Sequence, residues 1–109
     1  MKYVVKILPR AEADIERNAQ WWADHHSVDQ AVKWFFAVRS QILSLDEFPE
    51  SHPLSYENDE FPYEIREKLV GLGRRPSYRA VFTIRDGTVY VVALLAAEQD
   101  CLRPDDVEI

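Results

Sequence analysis

Cysteine is nearly absent from this 109-residue chain: Cys101 stands alone, so no internal disulfide can form and no thiolate cage can hold a metal. A lone thiol becomes a nucleophile only beside a base, and none adjoins it in the sequence, so an ordinary half-buried side chain is expected there. Glycine (3) and proline (6) are scarce as well, which excludes collagen-like, low-complexity and disordered chains. No segment approaches the ~20 apolar residues of a membrane span. The N-terminal run Tyr3 to Leu8 is broken by Pro9 too early for a signal peptide, and a protein of the reducing cytoplasm is expected. Cations are outnumbered: thirteen Lys and Arg against nineteen Asp and Glu leave a net charge of -6. That balance argues against a basic, sequence-indifferent nucleic-acid binder, because affinity for phosphate rests on cations and counterion release. No sequence-specific DNA binding and no membrane partner are expected either.

What is present suits one domain over residues 1–109, without repeat or linker. Tyr3 to Leu8 reads as a strand ended by Pro9. Ala11, Ile15, Ala19, Trp22 and His26 then recur at helical steps, with Glu12, Asp14, Glu16, Arg17, Gln20 and Asp24 on the other side. Ser27-Val28-Asp29-Gln30 has the form of a capping box. It opens a second helix carrying Ala31, Trp34, Phe35, Val38, Ile42 and Leu45 as far as Pro49. The short gap predicts an antiparallel αα-hairpin, with Trp22, Trp34 and Phe35 as packing residues. Glu50 to Glu60 reads as an acidic surface loop. Phe61, Tyr63, Ile65 and Leu69 alternate with Glu64, Arg66 and Lys68, predicting a half-buried strand whose charges face solvent. Tyr78 to Arg85 alternates again, Asp86-Gly87 is a type I′ hairpin signal, and Thr88 to Ala96 is apolar enough for a central strand. Beyond it lies an acidic tail in which Pro104 limits any helix. The order β-α-α-β-β-β predicts an α+β fold whose last three strands run antiparallel.

Most catalytic templates are missing: no Walker loop, no dinucleotide-binding glycine pattern, no metalloprotease helix and no cysteine pair. His25 and His26 are adjacent and point about 100° apart on a helix, which suits a helix end better than joint metal ligation; no metal or cofactor is expected. The carboxylates between Asp46 and Glu67 single out no acid–base pair. By contrast, Lys68 to Arg85 carries Lys68, Arg74, Arg75, Arg79 and Arg85 and no acid before Asp86. Arg66, Lys68, Arg79 and Arg85 have the alternation of one exposed sheet face. Such a patch could meet phosphates or a partner's carboxylates, or simply be solvated.

The strand before Pro9-Arg10-Ala11-Glu12-Ala13-Asp14-Ile15, the hairpin ending at Leu45 to Pro49, Ile65-Arg66, Tyr78-Arg79-Ala80-Val81-Phe82-Thr83-Ile84 and the last apolar strand together resemble the RelE/ParE toxin superfamily. The resemblance implies the toxin of a type II toxin–antitoxin (plasmid stabilisation) module, checked by a cognate antitoxin. RelE-like members cleave ribosome-bound mRNA with Lys and Arg side chains, whereas ParE-like members inhibit DNA gyrase. Arg79 falls on the family's strand arginine, and Arg66 and Lys68 on the preceding strand. If the chain were a nuclease, Arg79, Arg66 and Lys68 would be its catalytic candidates. Leu95-Ala96-Ala97-Glu98-Gln99-Asp100 occupies the stretch where relatives carry Arg, Lys or His, and a nuclease without a cation there lacks a general acid and a phosphate contact. A ParE-like, non-cleaving toxin is therefore expected. The ribosome-dependent endonuclease is the alternative, and a non-toxic binding module of the same fold the second. Arg66, Lys68, Arg74, Arg75, Tyr78, Arg79 and Arg85 are the expected contacts to target or antitoxin, with Arg79 at the centre.

Overall fold

A computed structural model describes residues 2–97 and 101–107. Strand β1 (Val4–Ile7) leads at Pro9 into helix α1 (Pro9–His25), where proline suits the first turn because its missing N–H would be unpaired there anyway. Ser27 caps helix α2 (Val28–Leu43), its hydroxyl accepting from the Gln30 amide at 3.0 Å. Short 3-10 turns at Ser44–Asp46, Pro49–Ser51 and Asn58–Glu60 carry the chain to β2 (Arg66–Val70), β3 (Tyr78–Arg85) and β4 (Thr88–Ala96). The class is α+β, as the element order predicts, and the sheet order is β1-β4-β3-β2. Strands β2, β3 and β4 pair antiparallel, whereas β1 lies parallel to β4, which is thereby central. Asp86 and Gly87 both take positive φ, as the β3–β4 hairpin turn requires.

Both faces of the sheet are covered. On one, Ile15, Trp34, Val38 and Ile42 of the hairpin pack against Tyr78, Ala80, Phe82 and Val91. On the other, a smaller cluster gathers Phe61, Ile65, Val81, Val92, Leu95 and Leu102 under the β2-preceding loop and the C-terminal segment. A bulge allows this: Val81 pairs with Ala93 but Phe82 with Val91, so Val92 is the extra residue. The parity of β4 therefore flips, and Val91 and Leu94 face the helices while Val92, Ala93 and Leu95 face the second cluster.

Three local expectations are corrected. Asp14, assigned to the solvated side of α1, is 1% exposed. The reason is that β1 stops at Ile7 opposite Val91, leaving the far half of β4 paired with β3 on one edge and unpaired on the other. The Asp14 carboxylate fills that gap, accepting from the Leu94 amide at 3.0 Å while Arg17 (2.7 Å) and Arg10 (3.3 Å) balance its charge. In β2 the parity is the reverse of that expected. Arg66, Lys68 and Val70 lie opposite Phe82, Ala80 and Tyr78 on the helix side, and Leu69 is exposed. Finally, Cys101 is exposed rather than half-buried.

Candidate functional site

The expected single basic face does not form, because neighbours across β2 and β3 share a side and Arg79 pairs with Leu69, not with Arg66 or Lys68. The seven expected contact residues fall into five places. Tyr78 is buried in the helix-side core, its ring edge-on to Trp34 with centroids 5.1 Å apart. Arg74 and Arg75 are exposed in the β2–β3 connection. Arg66 and Lys68 sit half-buried on the edge strand, and Arg85 is exposed at the far end of β3 with its guanidinium 4.8 Å from the Tyr63 ring centre. Arg85 and Arg66 line one small cavity with Tyr63, Glu64, Thr83 and Ile84.

Arg79 is the fifth place, and it is 1% exposed. Its guanidinium grips Glu57 through both terminal nitrogens, one at 2.6 Å, and reaches Glu67 and Ser55 at 3.2 Å each. The Tyr56 ring lies over it at 4.6 Å. Glu57 also accepts from the Ser55 hydroxyl and from the Leu102 amide at 2.7 Å. One carboxylate thus fastens the loop, β3 and the C-terminal segment together. Burial pushes the Glu57 carboxyl up, but the hydrogen bonds from Arg79, Ser55 and Leu102 outweigh it and hold the group below its ordinary value. Burial likewise opposes charge on Arg79, and the Glu57 carboxylate reverses that. The expectation that Arg79 stands at the centre of a solvent-facing patch is corrected: a bidentate partner and a covering ring occupy it.

An accessible cluster forms instead where β2 meets the loop. Arg66 donates to the His52 carbonyl at 2.7 Å and to Glu64 at 3.4 Å, and Lys68 donates to the Ser44 hydroxyl at 2.7 Å. The His52 ring packs edge-on to Phe82. Burial, then the charges of Lys68 and Arg66, lower the His52 pKa below 6.5, and burial lowers that of Lys68. The imidazole is therefore neutral at pH 7 beside two cations, an arrangement able to hold an anion. His52 and Glu57 escape sequence reasoning because each lies in a stretch without periodicity, where only the tertiary pairing of residues 53–55 with 65–67 reveals their neighbours. Of the stretch expected to lack catalytic cations, Leu95 and Ala96 end β4 and Ala97 follows; Glu98, Gln99 and Asp100 lie outside the described residues.

With this geometry in place, the comparisons are specific. The family model for the ParE toxin of the type II toxin–antitoxin system parDE matches residues 5–101. Among solved structures, the chromosomal ParDE toxin–antitoxin system from P. aeruginosa aligns with a TM-score of 0.73 at 15% identity, covering 89% of this chain and 98% of that one; at that identity the likeness speaks for the fold. An arginine-to-alanine double mutant of the E. coli toxin RelE in the free state aligns at a TM-score of 0.44 and 20% identity, over 90% of this chain and 86% of that one. No curated protein matches the sequence.

Proposed function

The chain belongs to the family of ParE toxins of type II toxin–antitoxin systems, and on that premise we propose that it acts by binding and inhibiting a cellular target such as DNA gyrase, and is silenced by a cognate antitoxin. The observation that carries the non-cleaving reading is Arg79: a strand arginine locked by Glu57 and covered by Tyr56 is not available to a phosphate. Arg66, Lys68, Arg74, Arg75 and Arg85 are the proposed contacts to target or to antitoxin carboxylates. Tyr78, in the helix-side core, and Arg79, under Tyr56 on the opposite face, are buried and are not among these contacts. One feature favours a second reading, cleavage of mRNA on the ribosome: Arg66, Lys68 and the neutral imidazole of His52 combine phosphate-binding cations with a candidate general base.

Expression without a partner in a bacterial host separates the readings. The proposal expects growth arrest, loss of gyrase supercoiling activity when purified chain is added, and intact ribosome-bound mRNA. Cleavage inside the A-site codon, lost in His52→Ala and Lys68→Ala, would transfer the assignment to the nuclease. Unimpaired growth at high soluble expression would leave a non-toxic binding module of the same fold.

A further inference from the structure

Two arginines stand in the β2–β3 connection, and that connection is tied down at both ends. Its first residue, Gly71, takes a φ of +138° and lies so near the returning chain that a Cβ there would sit 3.4 Å from the Ser77 nitrogen. The Gln41 side chain of α2 grips Gly71 as a neighbouring strand would, donating to its carbonyl at 2.9 Å and accepting from its amide at 2.8 Å. Leu72 packs against the helix-side core, and the Ser77 carbonyl accepts from the Ala97 amide at 2.8 Å. Residues 73 to 76 alone lie between these anchors, and Pro76 restricts both itself and Arg75. Arg74 and Arg75 are exposed, and neither forms an ion pair with a described residue.

We propose that Gln41 is a positioning residue for an anion-binding turn, and that Arg74 and Arg75 take the carboxylates of a Glu- and Asp-rich segment of a partner protein. This rests on the reading of Arg74 and Arg75 as partner contacts, and it adds the chemistry of the partner and the residue that holds the turn ready. A turn fixed before the partner arrives loses little backbone freedom on binding. A guanidinium matches carboxylate and phosphate alike, so charge beyond the turn decides between them. A nucleic acid carries a continuous line of negative charge, which would run on past the turn over a chain of net charge -6, and two phosphate contacts release too few counterions to hold it there. A protein segment can confine its carboxylates to the length of the turn.

Fluorescence anisotropy of a labelled synthetic peptide of alternating Glu and Ser, titrated with the purified full chain, tests it. Binding that weakens as salt rises is expected. Arg74→Ala together with Arg75→Ala weakens it about tenfold and flattens the salt dependence, because two charge contacts are gone. Gln41→Met keeps the length and neutrality of the side chain but offers Gly71 no hydrogen bond. It weakens binding about threefold with the salt dependence intact, since both contacts remain and only their order is lost. Lys33→Met, which removes one positive charge from an exposed position of α2, stays within about twofold. All these variants keep the natural circular dichroism. A natural chain that does not bind the peptide, a Lys33→Met loss as large as that of the arginine pair, or full binding by Gln41→Met each overturns the proposal. Tighter binding of a labelled oligonucleotide, lost in the same arginine variant, overturns it in favour of a phosphodiester partner. Neither gyrase nor ribosome enters the titration, so a chain that fails here but inhibits supercoiling loses only this inference, whereas one that binds the peptide without arresting growth loses only the target reading.

Discussion

On the face that carries the hairpin, Ile15, Trp34, Val38 and Ile42 meet strand side chains in apolar contact, whereas on the opposite face Val81, Val92 and Leu95 share their cover with a carboxylate, a guanidinium and a hydroxyl. The first cover consists of two long helices with regular periodicity, and its energy grows with buried apolar area. The second is a loop and a short C-terminal segment with little apolar surface of their own, held down by one ion pair with directed hydrogen bonds. Such a pair costs desolvation on both sides, so it fixes where the cover lies more than it adds to stability. The helix side should respond to loss of volume and the loop side to loss of a partner.

The largest effect is expected from removing one member of that pair. Glu57→Ala leaves Arg79 charged and buried, which costs ~3 to 5 kcal/mol. The double change Glu57→Leu with Arg79→Met, which removes both charges, should recover most of that loss. Urea denaturation midpoints compare the three chains; a single variant costing under ~1 kcal/mol would place the pair among solvated ones and erase the contrast between the faces. Next in size is Asp14→Leu, which strips the Leu94 amide of its acceptor at the open half of β4. It should cost ~1 to 3 kcal/mol, with Asp14→Asn recovering part by keeping an oxygen. Hydrogen exchange would show the Leu94 amide opening in Asp14→Leu while the β3–β4 amides stay protected; uniform loss would mean that Asp14 acts through the whole helix instead.

The acid limb of stability sharpens the same comparison. Glu57 titrates below its ordinary 4.5 when folded, so the unfolded chain binds its proton first. Its contribution is complete above about pH 4.5 and is lost as pH falls through the lower folded value. Glu57→Gln should flatten that limb. If the slopes coincide, other carboxylates govern acid unfolding and the strap plays no part in it.

Periodicity made the helices, their antiparallel hairpin, the type I′ turn and the central β4 legible, because each is encoded within a few adjacent residues. The second cover was not. Loop residues 50 to 60 have the composition of a solvated segment, and the burial of Ser55 and Glu57 follows from a guanidinium more than twenty positions away. The cations were found by type, but their grouping was misjudged for a specific reason. Alternation within β3 was read correctly, but β2 was assigned the reverse parity, and the register, Leu69 opposite Arg79, decides which side chains share a face. Asp14 was hidden in the same way, since nothing in α1 announces that β1 is four residues long and leaves a β4 amide to cover.

The smallest expected effect concerns His52, on the helix side but at its polar margin. Burial against Phe82 disfavours the imidazolium, and Lys68 and Arg66 add to it, so the ring titrates below 6.5. The unfolded chain therefore binds this proton at higher pH than the folded one, and stability declines slightly as pH drops from about 6.5 through the folded value. Lys68→Met removes one repelling charge and should move the NMR titration midpoint of His52 upward, while Arg74→Met, in the exposed β2–β3 connection, should leave it in place. An anion seated between Arg66 and Lys68 would act in the same direction as Lys68→Met, since it supplies the charge that favours imidazolium. Titrating His52 with and without inorganic phosphate thus reports directly whether this margin binds anions. An unchanged midpoint in saturating phosphate, with Lys68→Met shifting it as expected, would assign the two cations to a protein partner's carboxylates rather than to a phosphodiester.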